Sequence, residues 1–121
     1  MLSTGVGISP VVQHYRSSAS APPGISAAPV ITDGSDNSVT APIVGQTLFV
    51  RKGTYTNSPT SWDEQWYLGS TAIPGEIYDH YTPGDADIGS TITVKETARN
   101  GAGPSSVNAS SATSAVADIS L

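Results

Sequence analysis

Cysteine is absent from the chain. That excludes disulfides, thiolate metal sites and cysteine nucleophiles together. Small secreted sandwiches often carry an inter-sheet disulfide, so its lack leads us to expect assembly in a reducing cytoplasm. Positive charge is also scarce: five cations (Arg16, Arg51, Lys52, Lys95, Arg99) stand against ten acids. They are scattered along the chain, and a net charge of −5 argues against phosphate-backbone recognition, so no nucleic-acid partner is expected. No run approaches the ~18 apolar residues of a membrane helix, so no membrane partner is expected. Met1-Leu2-Ser3-Thr4-Gly5 has neither the basic start nor the apolar stretch of a secretory signal.

Catalytic and metal-binding patterns are equally sparse. His14 and His80 are the only histidines, and no Gly-x-Ser-x-Gly turn is present. Asp79 and His80 are adjacent, so strand geometry would send them to opposite faces, unable to form a dyad. Asp85 and Asp87 alternate as oxygen ligands of Ca²⁺ can, but lack further carboxylates nearby. Asp87 is instead expected to bind backbone N–H groups at a corner. No enzyme activity, cofactor or metal is expected.

What the chain does have is glycine, proline and small polar residues, with 12 Gly and 9 Pro, which suit short strands and tight turns better than helices. Its clearest signal is Trp62-Asp63-Glu64-Gln65-Trp66-Tyr67-Leu68. The period of two puts Trp62, Glu64, Trp66 and Leu68 on one row of a strand. A central strand with a buried indole fills the gap of about 10 Å between two stacked sheets, and Trp66 is the candidate. Residues 90–98 alternate as well, placing Ile92, Val94 and Glu96 on one row. Further strands are expected at 28–32, 39–44, 47–51, 71–73, 77–82 and within 106–116, the last weakly patterned. This predicts an all-β sandwich of about seven strands over residues 28–116, with core residues Leu48, Val50, Trp66, Tyr81, Ile92 and Val94.

Residues 1–27 read as a different material. Ser17 to Gly24 is small, polar and proline-broken, an extended linker. Before it, Val6, Ile8, Val11, Val12, Tyr15 and Arg16 form a short segment too small to offset its ordering entropy alone. An extended N-terminal arm that binds a partner is expected, the alternative being an arm folded along an edge of its own sheet. Residues 117–121 are read as a tail.

The stretches Val44-Gly45-Gln46-Thr47-Leu48, Gly53-Thr54-Tyr55, Pro59-Thr60-Ser61, Gln65-Trp66-Tyr67, Ala72-Ile73-Pro74-Gly75, Tyr81-Thr82-Pro83 and Asp87 to Val94, followed by Ala98-Arg99-Asn100, resemble a bacterial and phage Ig-like domain. The resemblance runs from about Pro29 to Val116 and implies an immunoglobulin-type sandwich of the kind found on virion and surface proteins. Two positions depart from it: Glu64 and Glu96 stand where such modules are usually apolar. An unpaired buried carboxylate is costly, so each is expected at a wet rim, beside a cation, or on a contact surface for another subunit. Trp62 is the aromatic most expected to be exposed, as part of a platform for sugars.

These features lead us to expect a bacteriophage structural protein, a capsid decoration (cement) protein whose arm lies along the major capsid protein or another virion protein, with self-association open. It would be assembled in the host cytoplasm. The alternative is a glycan- or host-surface-binding module of a tail or fibre.

Overall fold

The computed structural model describes residues 21–118, and over that range the chain is all-β. In chain order the strands are β1 (Ile25–Ala27), β2 (Val30–Thr32), β3 (Leu48–Arg51), β4 (Thr54–Tyr55), β5 (Ser61–Leu68), β6 (Thr71–Ala72), β7 (His80–Tyr81), β8 (Ile92–Asn100), β9 (Gly103–Pro104) and β10 (Asn108–Ala109). They form an antiparallel three-stranded sheet β2-β3-β7 and a larger sheet β10-β8-β5-β6, in which β9 also pairs with β8. A small ladder joins β1 to β4.

The pairing of β5 with β8 is the spine, running from Ser61 opposite Arg99 to Leu68 opposite Ile92. Its inward row stacks Trp62 on Ala98, Glu64 on Glu96, Trp66 on Val94 and Leu68 on Ile92. Trp66, Leu48, Ile92 and Val94 are completely buried, and with Ile31 and Val116 they form one cluster drawn from both larger sheets. Val50 and Tyr81 are partly buried and pack against it. The Trp66 ring lies 5.9 Å from the Tyr81 ring, and its indole N–H donates to the carbonyl of Tyr78 at 2.8 Å. The arrangement is consistent with a β-sandwich. An indole in such a place satisfies both of its needs, dispersion contacts around the ring and an acceptor for its one donor.

Beyond β10 the C-terminal segment stays on β8 by an unusual device. Partners on β8 and just before it (98, 96, 94, 92, 90) step by two, while the facing residues (105, 108, 110, 113, 116) step mostly by three. Each extra residue follows a hydroxyl. Ser105, Ser110 and Thr113 donate their N–H to the carbonyls of Ala98, Val94 and Ile92. Their side-chain oxygens accept the N–H of those same residues, at 3.0, 3.1 and 3.0 Å. A hydroxyl thus replaces the backbone carbonyl that each bulge turns away, so the N–H groups of Ala98, Val94 and Ile92 all stay paired. This explains the Ser- and Thr-rich composition of a stretch whose apolar pattern is weak. The segment then pairs beyond residue 116, since the N–H of Val44 donates to the carbonyl of Ala117 at 3.0 Å.

Several expectations are corrected. The strand expected at 39–44 does not form: isolated bridges pair Ser38 with Thr32 and Ile43 with Ala117 instead. The expected strand at 77–82 is reduced to His80–Tyr81, because Tyr78 and Asp79 form a bend. That bend brings together what strand alternation would separate, and His80 Nδ1 lies 2.9 Å from Asp79 Oδ1. The boundary between arm and module falls earlier than residue 28, since residues 21–27 are joined to the module and include β1.

Candidate functional site

The most chemically distinctive region lies where the N-terminal segment meets the module, at the end of the spine that carries Asn100. Residues 21–27 are fastened there mainly by backbone groups. Asn100 Nδ2 donates to the carbonyls of Ala21 and Asn57, at 2.9 and 2.8 Å. Asn57 Nδ2 donates to the carbonyl of Pro22 at 3.0 Å. Gly24 and Thr56 exchange bonds, the N–H of Gly24 reaching Thr56 Oγ1 at 3.0 Å and the N–H of Thr56 reaching the Gly24 carbonyl at 2.8 Å. Asn108 Nδ2 holds the carbonyl of Ala27 at 2.9 Å. Asn57 takes a positive φ of 63°, a conformation asparagine tolerates better than most residues.

Beneath this junction lies a carboxyl pair. Glu64 and Glu96 are directly opposite on β5 and β8, 8% and 0% exposed. Glu96 Oε1 accepts the N–H of Gly53 at 2.9 Å and the hydroxyl of Tyr55 at 2.7 Å. Tyr55 OH in turn accepts from Asn108 Nδ2 at 3.1 Å. A chain of polar contacts therefore runs from Glu96 through Tyr55 and Asn108 to the backbone of β1. Gly53 has to be glycine, because a Cβ there would lie 2.4 Å from the Ala27 carbonyl and 2.7 Å from Asn108 Nδ2.

Desolvation, then the adjacent Glu96, raise the pKa of Glu64 to about 9, with Lys52 acting in the opposite direction. At neutral pH Glu64 therefore keeps its proton. Glu96 Oε2 and both Glu64 oxygens are buried with no hydrogen-bond partner among the described residues. The proton on Glu64 relieves the like-charge conflict that two buried carboxylates would create. Burial also raises the pKa of Tyr55, helped by the adjacent Glu96, so its hydroxyl remains a donor.

The carboxylates are thus neither at a wet rim nor on a contact surface. Complete burial of Glu96 corrects both expectations, and the physical reason is the cover of β4 and residue 53, which supply its donors. Trp62 is only partly exposed and its indole N–H is buried, so it is no free platform. Lys52 Nζ stands 5.6 Å from the centroid of its ring. Val6, Ile8, Val11, Val12, Tyr15 and Arg16 lie outside the described residues. Asp87 Oδ2 accepts the N–H of Gly84 at 2.9 Å and the hydroxyl of Tyr81, clamping the corner before β8. Among the described residues no group of three or more His, Asp or Glu could hold a metal ion.

A second surface carries Tyr78, which with Tyr55, Trp62, Tyr67 and Tyr81 is one of the aromatics the sequence offers for a sugar platform. Tyr78 is 59% exposed and its ring stacks on His80, with centroids 6.2 Å apart. His80 in turn faces Phe49 at 6.3 Å, and Ile77 beside them is 56% exposed. The sequence signal was present in Ile77-Tyr78, but a strand at 77–82 would have turned one of the two inward.

No family model matches the chain, and no curated protein and no solved structure matches it either. What fold and site define is an all-β module with a fastened N-terminal segment and a buried carboxyl pair. No helix among the described residues is long and apolar enough to cross a membrane.

Proposed function

We propose that the chain is a non-enzymatic bacteriophage virion protein, a capsid decoration protein whose Ig-like module is tied to the major capsid protein by residues 1–20. The order β2-β3-β7 against β10-β8-β5-β6, with a buried tryptophan on β5, supports the Ig-like reading, because immunoglobulin sandwiches pair their strands in two such sheets. The observation that carries the tether reading is the fastening of residues 21–27. Their bonds to Thr56, Asn57, Asn100 and Asn108 give the preceding residues a fixed point of departure, so that a pull on the arm is transmitted to the module. Val6, Ile8, Val11, Val12 and Tyr15 would be buried against the shell, and Arg16 would lie at its edge.

The test is co-sedimentation with shells assembled from the major capsid protein of the same phage. A chain lacking residues 1–20 should keep its module folded and stay in the supernatant. Shell binding undiminished by that deletion would refute the tether.

A second reading, a glycan- or host-surface-binding module, is favoured by the exposed Tyr78 ring beside His80 and Asp79, an aromatic face with hydrogen-bonding groups at its margin. It predicts binding to cell-wall glycans that Tyr78→Ala removes. A glycan array without hits would set it aside.

A further inference from the structure

Asn100 is the residue that closes the junction, and it is followed by Gly101. Its carboxamide makes three contacts: Nδ2 donates to the carbonyls of Ala21 and Asn57, and Oδ1 accepts the N–H of Ala102 at 2.8 Å. Two of the three require a nitrogen with two hydrogens. We propose that Asn100 is a deamidation site whose conversion to an acid unfastens the N-terminal segment, a one-way chemical release built into the β8–β9 hairpin.

The chemistry needs only water. The deprotonated backbone nitrogen of Gly101 attacks Asn100 Cγ, forming a five-membered succinimide, and the Cγ–Nδ2 bond breaks to release ammonia. Water then opens the ring at either carbonyl, leaving aspartate or isoaspartate. Glycine at the following position leaves the attacking nitrogen unshielded, since no Cβ stands beside it. Asn37 and Asn57 are followed by serine, and Asn108 by alanine. The leaving nitrogen must first part from its two carbonyls, so conversion draws on molecules in which the clasp is open.

The consequence follows from donor counting. A carboxylate has no N–H, so an oxygen would replace the nitrogen now 2.9 Å from the Ala21 carbonyl and 2.8 Å from that of Asn57. Acceptor would face acceptor, twice, and the segment would lift away. The Glu96–Tyr55–Asn108 contacts would still hold β1, so release would be confined to the residues before it.

The experiment ages the full chain in mildly alkaline buffer and maps each asparagine by peptide mass spectrometry. Backbone hydrogen exchange is then followed across residues 21–27 and in the core. The expected result is that Asn100 converts ahead of Asn37, Asn57 and Asn108. Exchange at Gly24 should rise about tenfold or more, as loss of its fastening implies, while Trp66 stays protected. Asn100→Asp should reproduce the released state without ageing. Gly101→Ala should slow conversion and keep the segment fastened. Gly101 is not among the glycines at positive φ, so alanine fits its backbone. Conversion of Asn100 with unchanged exchange at Gly24 would overturn the proposal, as would an aged native chain in which Asn100 outlasts the other asparagines.

Discussion

Glu64 and Glu96 face each other across adjacent strands with almost no access to water, and Glu96 alone is met by donors, from Gly53 and Tyr55. The asymmetry sets them apart. Glu96 accepts the two hydrogen bonds, while Glu64, raised to about 9 by burial and by Glu96, keeps its proton at neutral pH. That proton removes the like-charge conflict between the two.

Stability should therefore depend on pH through Glu64. Its folded pKa is raised above the ordinary value of 4.5, so the unfolded chain loses the proton first. The pair's favourable contribution is complete below about pH 4.5 and is lost progressively as pH rises towards 9. Glu64→Gln keeps a hydrogen-bond donor and cannot ionise. Urea titrations of both proteins should show the variant's stability flatter across that window, with an advantage at pH 8 of about 1–3 kcal/mol. Parallel pH profiles for the two proteins would remove the proton on Glu64 from the account.

Tyr55→Phe removes the hydroxyl that donates to Glu96 and accepts from Asn108. A buried carboxyl oxygen losing a donor costs about 1–3 kcal/mol. The loss should centre on β1 and β4, so proteolysis within residues 21–27 should quicken more than the global midpoint falls. Equal protection in the two proteins would show that Tyr55 does not hold the junction.

Hydroxyls in the C-terminal segment carry backbone bonds. Thr113→Val keeps the shape but removes the acceptor for the buried N–H of Ile92, and Ser110→Ala does the same to Val94. Each should lower stability by about 1–3 kcal/mol, measured by denaturant unfolding, well beyond a surface substitution. A near-neutral result at both sites would mean that water replaces the hydroxyls.

Trp66→Ala should be the most damaging single change, about 3–5 kcal/mol, because it removes the largest buried side chain together with the donor to the Tyr78 carbonyl. In urea unfolding its midpoint should lie below those of the other variants named here. A smaller loss than in the hydroxyl variants would place the core elsewhere.

The period-two rows of β5 and β8 were legible because both strands are long and half-buried, and alternation is then strongly imposed. Trp66, Ile92 and Val94 follow directly from it. Short strands were less legible. Two-residue elements such as His80–Tyr81 leave no periodicity to read, and the bend at Tyr78 and Asp79 arises from the tertiary bond between the Tyr78 carbonyl and Trp66. The row also placed Glu64 and Glu96 inward, yet the cover that makes burial possible comes from Gly53 and Tyr55, more than forty residues before Glu96. The junction was hidden for the same reason. Residues 21–27 have the composition of a linker, and what fixes them is a set of asparagine side chains distant in sequence.

The central claim is that residues 21–27 belong to the module. Thermal unfolding of two shortened chains, one beginning at residue 21 and one at residue 28, tests it most directly. The account predicts that the first melts with the full-length chain and the second several degrees lower, since Glu96, Tyr55 and Asn108 lose the strand they hold. Identical melting of both shortened chains would contradict it.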